Sequence, residues 1–201
     1  MAFISLTPMT ELEAVNILLA AIGEAAVSSL ETATTVEVTQ AKKLLSNVNR
    51  AAQQKGWHFN TEWDVVLTRD SDNRIPLSQS ILSVYQPGQL MTIRGMSGDM
   101  YAYDLDNNTF TWTKNLNNAV TVTLLDFIDS PNTFRQYVTT RAARIFQEEI
   151  IGQVSAETVN RQEEAEAYAD LLDDDAERAG LNVAYGTLDM LNTTQLHRKL
   201  W

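Results

Sequence analysis

The residues best spaced for chemistry are Asp104-Leu105-Asp106-Asn107-Asn108, which set side-chain oxygens at alternate positions as the calcium-binding loop of an EF-hand does. The match stops there. Thr109 stands where that loop needs its glycine, and Asn115 where it needs a bidentate glutamate. A polar turn between Tyr101-Ala102-Tyr103 and Phe110-Thr111-Trp112 accounts for the same residues. Asp70-Ser71-Asp72 fails sooner, because Arg74 occupies the next ligand position. Paired carboxylates could hydrolyse glycosides, one as acid and one as nucleophile or base about 5 to 9 Å away. Glu163, Glu164, Glu166 and Asp173 to Asp175 supply carboxylates in abundance, but as the solvated face of a helix, with nothing to single out a buried pair. His58 and His197 are the only histidines, and neither shows a ligand-like partner. Nucleophile-elbow, P-loop and dinucleotide-binding motifs are missing. Trp57, Trp63 and Trp112 read as packing residues and Trp201 as an interface anchor. The expectation is a protein without catalytic residues, metal or cofactor.

Composition narrows the classes further. With 201 residues, 44% of them hydrophobic, the chain can bury a sizeable core. It has no cysteine, which removes disulfides, thiol nucleophiles and zinc-thiolate sites and suits a protein made in a reducing cytoplasm. A net charge of −11 opposes tight binding to DNA, whose phosphates are held by Lys and Arg. Residues 1–6 lack a basic and apolar leader, and no apolar run is long enough to span a membrane.

The elements that would position these residues fall into three blocks. Thr10-Glu11-Leu12-Glu13 is a capping box, and Leu12, Val15, Leu18, Leu19 and Ile22 follow at helical spacing until Gly23. A second box at Thr34-Thr35-Val36-Glu37 opens a helix with Ala41, Leu44, Leu45, Val48 and Ala52 on one side, ending at Gly56. From Trp57 the pattern alternates: Val65 and Leu67, Ile81 to Tyr85, Leu90 to Ile93, Tyr101 and Tyr103, Phe110 and Trp112, then Val120, Val122 and Leu124. Turn-forming clusters separate these runs, among them Asn115-Leu116-Asn117-Asn118. Helical spacing returns after Ser130 as cap and Pro131 as first helical residue, with Phe134, Val138, Ala142, Ile145, Phe146 and Ile150 as the stripe and Arg135, Arg141 and Arg144 outside it. An acidic helix follows from near Ser155. The pattern predicts an α+β protein: a discontinuous antiparallel helical bundle, residues 1–56 with 129–179, carrying an inserted small antiparallel β-sandwich or barrel at 57–128. Residues 180–201 read as a docking arm, with Tyr185, Leu188, Leu196, Leu200 and Trp201 as interface residues.

Three strings near the start, Glu11-Leu12-Glu13-Ala14-Val15-Asn16, Leu19-Ala20-Ala21-Ile22-Gly23-Glu24 and Val27-Ser28-Ser29-Leu30-Glu31, together resemble the N-terminal signature of the tail tubular protein A family. These are the head-to-tail adaptors of short-tailed podoviruses of the autographivirus type. Gly56-Trp57-His58-Phe59-Asn60 resembles the family's glycine-tryptophan-x-phenylalanine-asparagine junction, and Pro131, Phe134, Arg135, Arg141, Ala142, Arg144 and Phe146 fit its third-helix pattern. The likeness spans most of residues 11–175; Ala25-Ala26 replaces expected prolines, and the sequence after Gly180 is only loosely similar.

The resemblance implies a virion tail protein, assembled in the host cytoplasm as a homo-oligomeric ring of twelve subunits. The ring would join the portal protein to the tail nozzle, tail tubular protein B, with genome DNA passing through the lumen unbound and no membrane partner. The alternative is a bifunctional tail component that hydrolyses polysaccharide or peptidoglycan through its carboxylates. A calcium-dependent lectin is a third reading.

Overall fold

The computed structural model describes residues 7–32, 35–152 and 157–178. The first helix, α1 (Glu11–Ala21), is opened by the expected box: Thr10 Oγ1 accepts from Glu13 N–H at 3.2 Å, and the Glu13 carboxylate accepts from Thr10 N–H at 2.8 Å. That bond from the Thr10 backbone, followed by one from its side chain, holds the Glu13 carboxyl below its ordinary pKa. The next helix, α2 (Val36–Gln53), is capped differently from the sequence expectation. Thr35 is the cap and accepts from Val38 N–H, so Glu37 falls one position short of the place a box requires.

The third helix, α3 (Asn132–Ile151), also starts one residue later than expected. Pro131 is the cap residue, while Ser130 gives its hydroxyl proton to the Phe127 carbonyl in the preceding 3-10 turn, Phe127–Asp129, and makes no side-chain cap. The fourth helix, α4, spans Glu157–Arg178. Helix α3 is central and packs against α1, α2 and α4. Burying its stripe explains the choice: Phe134, Val138, Ala142 and Phe146 recur at four-residue spacing and join Val15, Leu18, Leu19, Val38, Leu45 and Leu171 in one apolar cluster.

Between α2 and α3 lie six strands: β1 (Thr61–Leu67), β2 (Pro76–Leu77), β3 (Ile81–Tyr85), β4 (Met91–Met96), β5 (Asp99–Asp104) and β6 (Leu116–Thr123). They make two antiparallel three-stranded sheets, ordered β1-β6-β3 and β2-β5-β4. The described chain is therefore mixed α+β, with four helices and two small antiparallel sheets. A second apolar cluster, separate from the helical one, gathers Leu67, Ile75, Leu77, Val84, Ala102, Trp112, Leu116 and Ala119.

Three expectations fail here, each for a backbone reason. Phe110 and Trp112 do not lie on a strand; only isolated bridges form around them. Trp112 instead plugs the β cluster, donating its indole N–H to the Ala102 carbonyl at 3.0 Å. Asn115–Asn118 is not a turn, because β6 already begins at Leu116, and Asn118, at φ +60°, absorbs an extra residue as a bulge. Trp63 does not pack and is 64% exposed. Strand β1 carries one extra residue between Glu62 and Val65, with Asp64 at φ +57°, so the alternation breaks and the indole turns to solvent.

Candidate functional site

The chain crosses between the helices and the sheets at residues 56–61 and 123–126, and both crossings are held by one set of amides. Gly56 sits at φ +73°, and a Cβ there would come within 3.1 Å of Val122 Cγ2, so conformation and space both call for glycine. Asn60 Oδ1 accepts from Trp57 N–H at 2.8 Å, while its Nδ2 donates to the carbonyls of Gln53 and Thr123, each at 3.1 Å. Gln53, fully buried on α2, grips the returning chain from both sides: Nε2 donates to the Leu125 carbonyl and Oε1 accepts from Leu125 N–H, both at 2.8 Å. Asn49, one turn earlier, accepts from Gln53 Nε2 at 3.1 Å. Every buried amide group in this set finds a partner, so the set stabilises rather than penalises the fold.

Aromatic residues fill the space beneath. Trp57 donates its indole N–H to the Ala52 carbonyl at 2.9 Å and packs edge-on against Phe134 and Tyr168. Phe59 lies 5.0 Å from Phe134. His58 also reaches α4, where its backbone N–H and Nδ1 both meet Asp175 Oδ1, at 2.8 and 2.5 Å. This partner lies 117 residues away in sequence, so the expectation that His58 had none fails on long-range packing.

The acidic helix is only in part the solvated face read from its composition. Glu164 accepts from Arg144 Nε at 2.5 Å and lies 3.8 Å from Arg141. Burial pushes the Arg144 pKa down, but its bonds and charge contacts with Glu164 and Glu148 outweigh this and raise it. Asp174 accepts from Thr133 Oγ1 and Arg178 Nε. Burial pushes its carboxyl up, and those bonds, with the nearby charges of Arg178 and His58, bring it below the ordinary range. Arg135 clamps the start of α3 by donating to the carbonyls of Ser130, Met9 and Ile128. Glu163, Glu166, Asp170, Asp173 and Glu177 remain exposed.

The calcium-like string has a structural occupation. Asp104 Oδ1 accepts from the backbone of Asp106 and Asn107, and Oδ2 from Asn107 Nδ2, which closes a polar turn. Burial alone would raise the Asp104 pKa, yet the bonds from Asn107, Asp106 and Gln89 lower it. Among the described residues, no group of three His, Asp or Glu side chains is placed to hold a metal ion, and no helix is long and apolar enough to cross a membrane.

These contacts build a framework: they lock a turn, a crossing and a helix packing. The model of the tail tubular protein family matches residues 12–181, which covers both crossings and, apart from Glu11, all four described helices. The chain belongs to the tail tubular protein family. No curated protein matches it. As a tail tubular protein it is a structural component of the phage tail and assembles with other tail components. The interface residues expected in its last segment, Tyr185, Leu188, Leu196, Leu200 and Trp201, lie outside the described residues. Sequence reasoning missed Asn49 and Gln53, because a polar residue inside an apolar stripe gives no sign of what it will bond.

Proposed function

We propose that this tail tubular protein is the adaptor subunit that joins the portal to the tail nozzle, as a ring of twelve copies enclosing part of the DNA ejection channel. The observation that carries this reading is how the Gly56-Trp57-x-Phe59-Asn60 junction is built. Its four named residues contribute, in order, a left-handed turn beside Val122, an indole bond to Ala52, an edge contact on Phe134, and a three-bond amide clamp. A subunit repeated around a ring must present two faces in fixed relation, and such a clamp supplies that rigidity. The division into a discontinuous helical unit, residues 1–56 and 129–179, and a β insertion, 57–128, belongs to the same proposal. So does the arm at 180–201, which would dock on the portal or the adjacent subunit. A net charge of −11 suits a channel that DNA passes without sticking.

Class-averaged electron micrographs of the protein mixed with its portal test this. Twelve-fold rings seated on the portal are expected; a protein that stays monomeric beside its portal, or binds only elsewhere on the tail, overturns the reading. Removing residues 181–201 should weaken assembly while leaving the thermal transition of the monomer nearly unchanged.

A further inference from the structure

The cations of the helices are nearly all occupied. Arg135 holds carbonyls, Arg141 and Arg144 meet Glu164, Arg178 meets Asp174, Lys55 lies over the Tyr168 ring, and Arg161 is engaged as well. The exceptions share one helix. Lys42, Lys43 and Arg50 all lie on α2, and no described carboxylate pairs with them. Lys43 and Arg50 are exposed on the side of α2 opposite its buried Ala41, Leu45, Val48 and Ala52.

Helix α4 presents the counterpart. Glu163, Glu166, Asp170, Asp173 and Glu177 follow one another at three- and four-residue spacing, which places all five on one exposed stripe. Lys43 and Arg50 are seven residues apart, a rise of about 10.5 Å at 1.5 Å per residue. The same seven-residue step separates Glu163 from Asp170, Glu166 from Asp173 and Asp170 from Glu177. Two cations a heptad apart thus match two carboxylates a heptad apart. The two stripes do not pair within one copy: α2 and α4 each pack on α3, Glu163 at one end of the acidic stripe borders a pocket that Arg144 and Gln147 of α3 also line, and no described ion pair joins α2 to α4.

We infer that the outer face of α2 in one copy docks on the acidic outer face of α4 in the next copy of this chain. Two different faces pair, so the contact is heterologous and repeats around a closed ring. This rests on the ring reading above and specifies which surfaces form it. The charges steer subunits together and fix their register, so the contact weakens as salt rises.

The test is charge reversal in full-length protein, read by light scattering at low salt. Lys43→Glu with Arg50→Glu, or Asp170→Lys with Glu177→Lys, should each weaken self-association on the order of tenfold or more, and the chain carrying all four changes should recover most of it. All four positions are exposed, so the thermal transition of each variant should stay in place. A second readout uses the absence of native cysteine: Arg50→Cys combined with Asp170→Cys should give a ladder of covalent oligomers with a short bismaleimide. Rings that persist through either reversal leave the ring reading intact and reject this contact. The same holds if the reversals impair only portal binding, or if the double-cysteine chain crosslinks only within itself. Wild-type protein that forms nothing above monomer at low salt, alone and with its portal, rejects the ring and the contact together.

Discussion

The two apolar clusters are specified by opposite means. The helical one is large and aromatic, with Phe134, Phe146, Leu18, Leu19 and Leu45 almost fully buried, and its polar residues serve as fasteners around it. The β cluster is small, built of Val, Leu, Ile and Ala around the single ring of Trp112. Its shape is set by turns and bulges: all five described non-glycine residues with positive φ lie in this region, Asn73, Ser97 and Asn108 at turns and Asp64 and Asn118 at bulges. Helical packing fixes the first region through buried area, whereas the second relies on local backbone conformations that Asp and Asn tolerate best. A region with little area to bury depends more heavily on its turns.

The largest effect should follow from hollowing the aromatic centre. Phe134→Ala removes the ring against which Trp57 and Phe59 pack and should cost about 3–5 kcal/mol in urea unfolding. A loss well under about 2 kcal/mol would mean that the helical region does not rest on buried area. Next is the fastener: Gln53→Leu keeps volume but leaves the Leu125 N–H without its partner and the Leu125 carbonyl with only the 3.4 Å bond from Asn49 Nδ2, for a cost of about 1–3 kcal/mol. If this variant were as stable as wild type, the amide set would be incidental.

A smaller cost, about 1–2 kcal/mol, is expected for Asp104→Ala, which strips a β turn of three bonds without touching apolar area. Its pH dependence has a definite sign. The folded carboxyl of Asp104 titrates below its unfolded value, as does that of Asp174 in the helical region. Each therefore contributes stability that is fully present above the ordinary carboxylate range and is lost as pH falls through the lower folded pKa. Urea midpoints of Asp104→Asn and Asp174→Asn should accordingly fall less than wild type on acidification; equal slopes would remove these groups from the account. The smallest change is Trp63→Ser, expected within about 0.5 kcal/mol of wild type because the indole is already in water.

The legible parts of this fold were those whose causes are local. Thr10 and Glu13 form their box, Gly56 takes its left-handed turn, and Trp57 and Trp112 are buried, because each depends on neighbours a few residues away or on a strong demand for burial. Trp63 was misplaced because the bulge at Asp64 shifts the two-residue period, and composition does not announce a bulge. The clamp was legible only in half. Gly56 and Asn60 stand in a recognisable string, but Gln53 acquires its role from Leu125 and His58 from Asp175, partners that only the folded chain supplies.

The amide clamp has a mechanical consequence. The chain passes between helices and sheets twice, and residue 53 holds both passages: its carbonyl accepts from Asn60, and its side chain grips Leu125. A pull on the sheets would therefore load these bonds side by side, so that they share the force and must rupture together instead of unzipping in turn. Traction would reach α2 as one stiff unit, an arrangement suited to a tail component that must keep its shape under load.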